Sequence, residues 1–389
     1  MCTISYDILW TKSTKTGAGL AGQPQTYFPG LSHTLGQRGA AGMARENRGR
    51  FWVRGTGQIV SAALLLAAIL FVLPGLLIRG EPVCRPPETG DLPGGEVAPP
   101  ASSAMPTGVR DKGKAVRLQT KEGPIVELTM ADYLWGVVAA EMPASFEDEA
   151  LAAQACAART YTAVLRGSSK HSDADICGNS ACCQAYIERS AAEARWGLNA
   201  REYGEKIERA VVRTDGLGVL YEGKPIQALF FSSAPGKTVD AAEVWGNSVA
   251  YLKSVDSPEG DEVPNYRTQT VLGAEEVRSL TLAAYPGADL SGDPAVWFGQ
   301  PSRSEGGTVI SLTLGGVTLT GGQVRSLFSL RSACFTVTWD GSQFVFDVTG
   351  YGHGVGMSQY GANAMAKDGG SFRDILTWYY TGAEVGNLW

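Results

Sequence analysis

Histidine is scarce in this chain, with three in 389 residues, so any site built on imidazole has few places to stand. Basic residues are in deficit, 33 Lys and Arg against 39 Asp and Glu for a formal charge of −6. The region beyond the N-terminal third carries no Lys/Arg cluster, which argues against a nucleic-acid groove. Internal repeats are absent, so no solenoid or propeller is expected. Cysteine is also sparse, seven in all; Cys2, Cys84, Cys156 and Cys334 are scattered without pattern, which rules out a disulfide scaffold spanning the chain. Nucleotide fingerprints fail as well. "PGKT" at Pro235–Thr238 has Phe231 where the first glycine of a phosphate loop belongs, and the glycines of 350–356 never satisfy G-x-G-x-x-G.

What remains is a chain long enough for more than one average domain, 44% hydrophobic, with ample material for a core. Long apolar runs are limited to one. "GTGQIVSAALLLAAILFVLPGLLI", residues 55–78, is uncharged between Arg54 and Arg79 and as a helix is long enough to cross a hydrocarbon layer of about 30 Å. Arg45, Arg48, Arg50 and Arg54 precede it against the lone acid Glu46, so residues 1–54 are expected in the cytoplasm and everything after Arg79 outside. Met43 opens "MARENRGRFWVRGTG", which reads as a natural membrane-protein start; residues 1–42 are expected to stem from a mis-assigned start codon. Residues 79–112, dense in Pro, Gly and Ser, read as a spacer.

The folded region is expected at 113–389, of α+β class with helices early and strands late. "AVRLQTKEGPIVELTM" suggests two short strands about a turn. "MADYLWGVVAAEMP" suggests a helix with Thr129 as N-cap and Pro143 as terminator, and "SFEDEALAAQACAARTYTAVL" a second helix capped by Ser145 with Asp148 completing a capping box. One further helix is expected through "ERSAAEARWGLNAREYGEKIERAVVRT" and one closing helix through "SQYGANAMAKDGGSFRDILTWYY". Strand patterns dominate between them, with a strand-rich sub-lobe at about 262–347.

Three stretches carry chemistry. In "AAEMPA", Glu141 ends an apolar helix beside Val138, Ala139, Ala140 and Met142. Desolvation and the negative end of its own helix favour the neutral carboxyl, as a general acid requires; the next helix N-terminus opposes this. A plain surface glutamate is the alternative. In "HSDADICGNSACC", His171 with Cys177 and one of Cys182 and Cys183 can take three corners of a tetrahedral metal site, or Cys177 can form a disulfide with one of the pair. In "GYGHGVGMSQYGA", Gly350–Ala362, glycine occupies alternate positions from 350 to 356. Glycine in an extended segment marks close approach of a ligand or another backbone, and both remain open.

Taken in order, "YLWGVVAAEMPASFEDEALAAQACAARTY", "DICGNSACCQAY", "EVWGNSVAYLKSVDSP" and "GYGHGVGMSQYGANAMAKDGGSFRDILTWYYTGAEV" resemble the signature blocks of the stage II sporulation protein D family, over roughly Ala115 to the C-terminus. The resemblance implies a membrane-anchored lytic transglycosylase that cuts peptidoglycan glycan strands, preferably those lacking stem peptides, to 1,6-anhydromuramyl products during sporulation engulfment. It implies Glu141 as catalytic acid and base, a zinc ion on His171, Cys177 and Cys183 with Cys182 as an extra thiol, and a cell-wall amidase as partner at the sporulation septum. Substrate contacts are expected from His353, Ser358, Gln359, Tyr360 and Arg159. Two alternatives stand beside this: a non-catalytic glycan-binding enhancer of a partner amidase, as in related amidase-enhancer domains, and a zinc amidase. The chain departs from the family pattern at "FFSSAPGKT", where Phe231 stands in the usual place of a histidine and Pro235 in that of a glycine.

Overall fold

The computed structural model describes residues 108–389, apart from positions 122, 167 and 169. The apolar run 55–78, the segment before it and the spacer up to residue 107 lie outside the described residues. Among the described residues no helix is long and apolar enough to cross a membrane.

The body begins earlier than expected. A short helix, α1 (Val109–Lys112), precedes residue 113, and its Asp111 is fully buried. Strands β1 (Ala115–Gln119) and β2 (Ile125–Thr129) pair antiparallel across the expected turn. Helix α2 (Met130–Glu141) follows, with the Thr129 hydroxyl accepting from Asp132 N–H at 3.1 Å, one of the four orphan donors of a helix start satisfied. It is apolar on nearly every side and buried on nearly every side, as a central helix must be. Met142 turns extended at its end, since the residue before a proline avoids helical geometry.

Helix α3 (Asp148–Leu165) packs on α2 with every residue from Ala150 to Thr162 buried. Its alanines allow neighbours to come close on several faces at once. Its N-cap is Glu147 and makes no side-chain cap, so the expected cap at Ser145 is not formed; the Glu147 N–H instead donates to Asn363 Oδ1 at 2.8 Å. Strand β3 (Ile176–Cys177) adds parallel to β1. The single helix expected next is two, α4 (Arg189–Trp196) and α5 (Ala200–Arg213), divided by a 3-10 turn at Gly197, whose φ of 55° a helix cannot continue.

Strands β4 (Leu217–Tyr221), β5 (Lys224–Pro225) and β6 (Phe230–Phe231) lead to helix α6 (Ala241–Trp245). A second hydrophobic core then gathers around Trp297, Phe328, Phe335, Phe344 and Phe346. It is enclosed by β7 (Arg267–Gly273), α7 (Ala274–Ala284), β8 (Ser302–Arg303), β9 (Val309–Leu314), β10 (Val317–Thr320), α8 (Gly321–Leu327), β11 (Phe335–Trp339) and β12 (Gln343–Thr349). Alternating apolar residues make β12 the middle strand between β11 and β7. The chain returns to the first core through β13 (Met357–Ser358), parallel to β6. Helices α9 (Gln359–Lys367) and α10 (Phe372–Tyr379) follow in place of one closing helix, parted by Gly369 at φ 92° and a new cap at Ser371. Strand β14 (Glu384–Asn387) finishes beside β4. The arrangement is of α+β class.

Candidate active site

The segment after the cysteines runs along α2 because Gly136 lets it. A Cβ at position 136 would stand 2.3 Å from the Tyr186 ring and 2.7 Å from the Ile187 carbonyl oxygen; Ile187 N–H reaches the Gly136 carbonyl at 3.3 Å. One turn further along the helix, Ala185 N–H donates to Glu141 Oε1 at 2.5 Å. The strand-like stretch is pinned from the other side by Gln184, fully buried, whose Nε2 donates to Tyr133 Oη at 2.8 Å and Thr162 Oγ1 at 2.9 Å. Backbone and side-chain donors thus fix where the glutamate can point.

Glu141 is 9% exposed. Burial raises its pKa to about 7, against the lowering pull of the Ala185 amide and the Gln359 side chain. Desolvation wins because a carboxylate loses more in leaving water than two hydrogen bonds return. None of these influences is a second carboxylate. A group titrating near neutrality can give a proton and take one back.

His171, Cys177, Cys182 and Cys183 converge, their potential ligand atoms all within 4.8 Å of one another. His171 Nε2 lies 3.2 Å from Cys183 Sγ and 3.9 Å from Cys182 Sγ, and the two sulfurs are 3.9 Å apart. All three cysteines are free thiols. The alternative of a disulfide from Cys177 is therefore not adopted, and Cys182, expected to be extra, stands inside the cluster. The reason is local: just past the strand, the Asn179 carbonyl accepts from both Cys182 N–H at 2.9 Å and Cys183 N–H at 2.8 Å. That turn brings adjacent side chains to one side. Three thiols and an imidazole are a donor set able to hold a metal.

The expected substrate residues separate into two groups. Gln359, at the start of α9, reaches Glu141 and lies 3.5 Å from Gln154 Oε1. Tyr360 beside it is half-buried, its ring edge-on to Phe146 at 4.9 Å. The other three have structural partners. Arg159 is fully buried, its guanidinium on Asp111 at 2.6 Å, on Thr214 and on the Leu217 carbonyl; it braces α3 against α1 and presents nothing to a glycan. Ser358 is fully buried, caps α9 through Gly361 N–H and donates to Glu259. His353 bonds Phe230 O through Nε2 at 3.1 Å and accepts from Val355 N–H through Nδ1 at 3.2 Å. Both ring nitrogens are thus taken by backbone. Burial and the nearby Arg325 charge lower its pKa to about 3, so it is a neutral brace.

The glycine alternation is not a strand. Gly350, Gly352, Gly354 and Gly356 all have positive φ, between 77° and 123°. A Cβ at 356 would lie 2.2 Å from the Leu229 carbonyl oxygen and one at 350 only 2.7 Å from that of Ser233. What comes close is the segment 229–239, by its backbone at Gly350 and Gly356 and by the Phe231 and Val239 side chains at Gly352 and Gly354. Phe231, in the place of the family's histidine, packs its ring on His353 with centroids 5.5 Å apart. Lys237 of "PGKT" pairs with Asp256 at 3.0 Å and Glu305 at 3.1 Å, as a surface lysine does.

Sequence reasoning overlooked Gln154, Gln184 and Glu259. The two glutamines are polar positions in otherwise apolar surroundings, a readable signal. Glu259 carried none. Its oxygens accept from Ala234 N–H at 2.6 Å, Ser257 Oγ at 2.6 Å and Ser358, the first and last from distant parts of the chain.

A family model described as Stage II sporulation protein matches residues 119–221, which span Glu141, the cysteine cluster and Ala185. Stage II sporulation protein D of Bacillus amyloliquefaciens is 34% identical over 326 residues, covering 83% of this chain and 92% of that protein. Its namesake in Bacillus subtilis strain 168 is 36% identical over 272 residues, 69% of this chain and 77% of that protein. The amidase enhancer of Bacillus subtilis strain 168 is 29% identical over 300 residues, 65% of this chain and 40% of that protein. With a relative of this identity matched along nearly its whole length, the chain belongs to the stage II sporulation protein D family.

Proposed function

We propose that this chain is a lytic transglycosylase acting on the glycan strands of peptidoglycan, with Glu141 as its single acid and base. The observation that carries the reading is a buried carboxyl group with pKa raised to about 7, held by the Ala185 amide. In its protonated form Glu141 donates to the glycosidic oxygen as the bond to muramic acid C1 breaks. The resulting carboxylate then removes the proton from that sugar's own 6-hydroxyl, which closes on C1 to give the 1,6-anhydro product. Hydrolysis proper needs a second carboxylate to activate water, whereas internal attack does not.

The metal we assign to the His171, Cys177, Cys182 and Cys183 cluster is zinc. Bonds of about 2.3 Å to sulfur and 2.0–2.1 Å to nitrogen separate tetrahedral donors by roughly 3.5–3.8 Å; three of the separations are 3.2, 3.9 and 3.9 Å, and every pair lies within 4.8 Å. Four protein donors leave no open position, so the ion would serve structure. It would fix the loop whose continuation places the Ala185 amide. The apolar run 55–78 is proposed to anchor the protein in the membrane with residues after 79 outside, at the sporulation septum. A cell-wall amidase is the proposed partner, in keeping with the amidase-enhancer relative.

The test is product analysis by mass spectrometry on purified glycan strands lacking peptides. Wild type should release anhydromuramyl products without any partner, and Glu141→Gln should release none. Products ending in reducing muramic acid would point to hydrolysis. No product from wild type alone, with stimulation of an added amidase, would favour the enhancer reading.

A further inference from the structure

One buried carboxyl group has no task in the site described above. Glu259 is 4% exposed. Its Oε1 accepts from Ala234 N–H at 2.6 Å and from Ser358 Oγ, and its Oε2 accepts from Ser257 Oγ at 2.6 Å. None of these donors is a cation. An apolar side chain of similar size would fill the same space without the cost of desolvating a carboxyl group, but it could not tie three stretches of chain to one point.

Helix α9 comes down directly onto this point. Gly361, in its first turn, makes the approach possible, since a Cβ there would stand 2.0 Å from Tyr379 Oη, 2.4 Å from Ser257 Oγ and 2.6 Å from Glu259 Oε2. Ser358, the N-cap of α9, accepts from Gly361 N–H at 3.3 Å while its own hydroxyl reaches Glu259. Ser257 Oγ lies 2.6 Å from Tyr379 Oη, so α10 joins the same knot. The segment in which Phe231 and Pro235 depart from the family pattern is tied in twice, by the Ala234 amide on Glu259 and by Ser232 O, which accepts from Tyr360 N–H at 3.0 Å.

From this seat α9 grips the stretch that follows the acid. Tyr360 and Asn363 are three residues apart and share one face of the helix. The first sets its ring edge-on to Phe146 at 4.9 Å, and the second accepts from Glu147 N–H at 2.8 Å through Oδ1. Residues 142–147 join Glu141 to α3, and α3 starts without a side-chain cap of its own. Its entry is therefore set by Asn363. A displacement of α9 passes to this stretch and so to Glu141, which the Ala185 amide holds from the other side.

We propose that Glu259 is a positioning residue for the reaction: it seats the N-terminus of α9, and α9 in turn holds residues 142–147 so that Glu141 meets the glycosidic bond. The proposal rests on Glu141 as the acid of the reading above. Glu259 acts through α9 and not on the reacting atoms. Misplacing a reacting group by about 1 Å can lower a rate roughly 100-fold, so a knot of buried hydrogen bonds well removed from the chemistry can govern turnover.

Two readouts on the full chain test this: kcat and KM on peptide-free strands, and the titration of the Glu141 carboxyl carbon by NMR, its resonance identified by its loss in Glu141→Gln. Glu259→Ala should lower kcat about tenfold or more with KM within about threefold. It should also bring the Glu141 titration down by about one unit, because a loosened stretch admits water and burial is the larger influence on that group. Ser358→Ala keeps Glu259 and cuts only its bond to α9; it should move both readouts in the same direction, and it decides the matter if Glu259→Ala does not fold. Glu259→Gln retains an oxygen for Ala234 and Ser358 and can donate to Ser257, so it should restore both readouts to nearly those of wild type. Unchanged kcat and an unchanged Glu141 titration in folded Glu259→Ala and Ser358→Ala, with only lower resistance to urea, would make Glu259 purely structural and overturn the proposal. A titration that moves while wild type releases no product would overturn the glycan reading and leave the positioning role standing.

Discussion

Ala185 N–H lies 2.5 Å from Glu141 Oε1, and Ala185 is only two residues past Cys183. The cysteine cluster and the acid are therefore parts of one device: the loop that gathers the thiols continues directly into the amide that orients the carboxyl group. This relationship yields two predictions, one about the proton and one about the metal.

Folding raises the Glu141 pKa from 4.5 to about 7. Below about pH 4.5 the group is protonated in both states and contributes no pH dependence. Between 4.5 and 7 the unfolded chain has released its proton and the folded one has not, so stability falls as pH rises, by up to about 3 kcal/mol. Glu141→Gln keeps an oxygen for the Ala185 amide and removes the titration. It should be about 2–3 kcal/mol more stable than wild type at pH 8 and nearly equal to it at pH 4, measured by urea unfolding. The same difference at both pH values would contradict the assigned pKa. For activity, kcat/KM of wild type should decline about tenfold per unit above pH 7, where the acid form is depleted.

Chelation should act on the device at its other end. Removing the proposed metal, or substituting Cys177→Ser, should lower Tm by several degrees, on the scale of about 2–4 °C per kcal/mol for a body of this size. It should also reduce kcat, because the Ala185 amide loses its fixed position. Added zinc should restore both in the chelated wild type but not in the variant. An unchanged Tm after verified metal loss would refute a structural ion.

Arg159→Ala should destabilise the fold by about 3–5 kcal/mol, since it strands Asp111 in the interior. Substrate KM of the remaining folded protein should stay within twofold. A raised KM with unaltered stability would return Arg159 to the substrate surface.

Gly356→Ala brings a Cβ to 2.2 Å from a backbone oxygen at φ 81°, and neither backbone can move without breaking the β6–β13 pairing. A loss of more than about 3 kcal/mol is expected. Gly223→Ala, at φ 73° with nothing within 4 Å, incurs only the left-handed strain, about 1 kcal/mol. Urea unfolding of both variants separates steric contact from backbone strain; equal losses would show that close approach plays no part.

Local signals were legible wherever the partner was local. The Thr129 cap, the stop at Pro143 and the hairpin around "KEGP" depend on neighbours within a few residues, and each is present. Ser145 failed as a cap because Asn363, 216 positions from Glu147, satisfies the helix start instead. The two over-long helices were read as continuous although Gly197 and Gly369 lie within them, since a glycine's φ sign is set by tertiary packing. The same division runs through the site. Glu141 and the cysteines stand out as residue types in a pattern, but the Ala185 contact belongs to a backbone amide, which has no letter in a sequence. The family resemblance points His353 and Arg159 to the substrate, but their partners, Phe230 O and Asp111, are distant in the chain and are not read from a motif.

The run from Gly350 to Met357 is bonded on both sides. Gly350 and Gly352 donate to the carbonyls of Tyr266 and Arg331, while Ser233 and Tyr351 exchange hydrogen bonds, Val239 donates to the Gly354 carbonyl and Met357 donates to that of Leu229. Val348 belongs to one hydrophobic core and Val355 to the other. The two cores are thus sewn along a shared seam of main chain, and opening either one tears stitches of the other. They should melt in a single cooperative transition, with no intermediate in which the strand-rich part is released alone for a protease to trim.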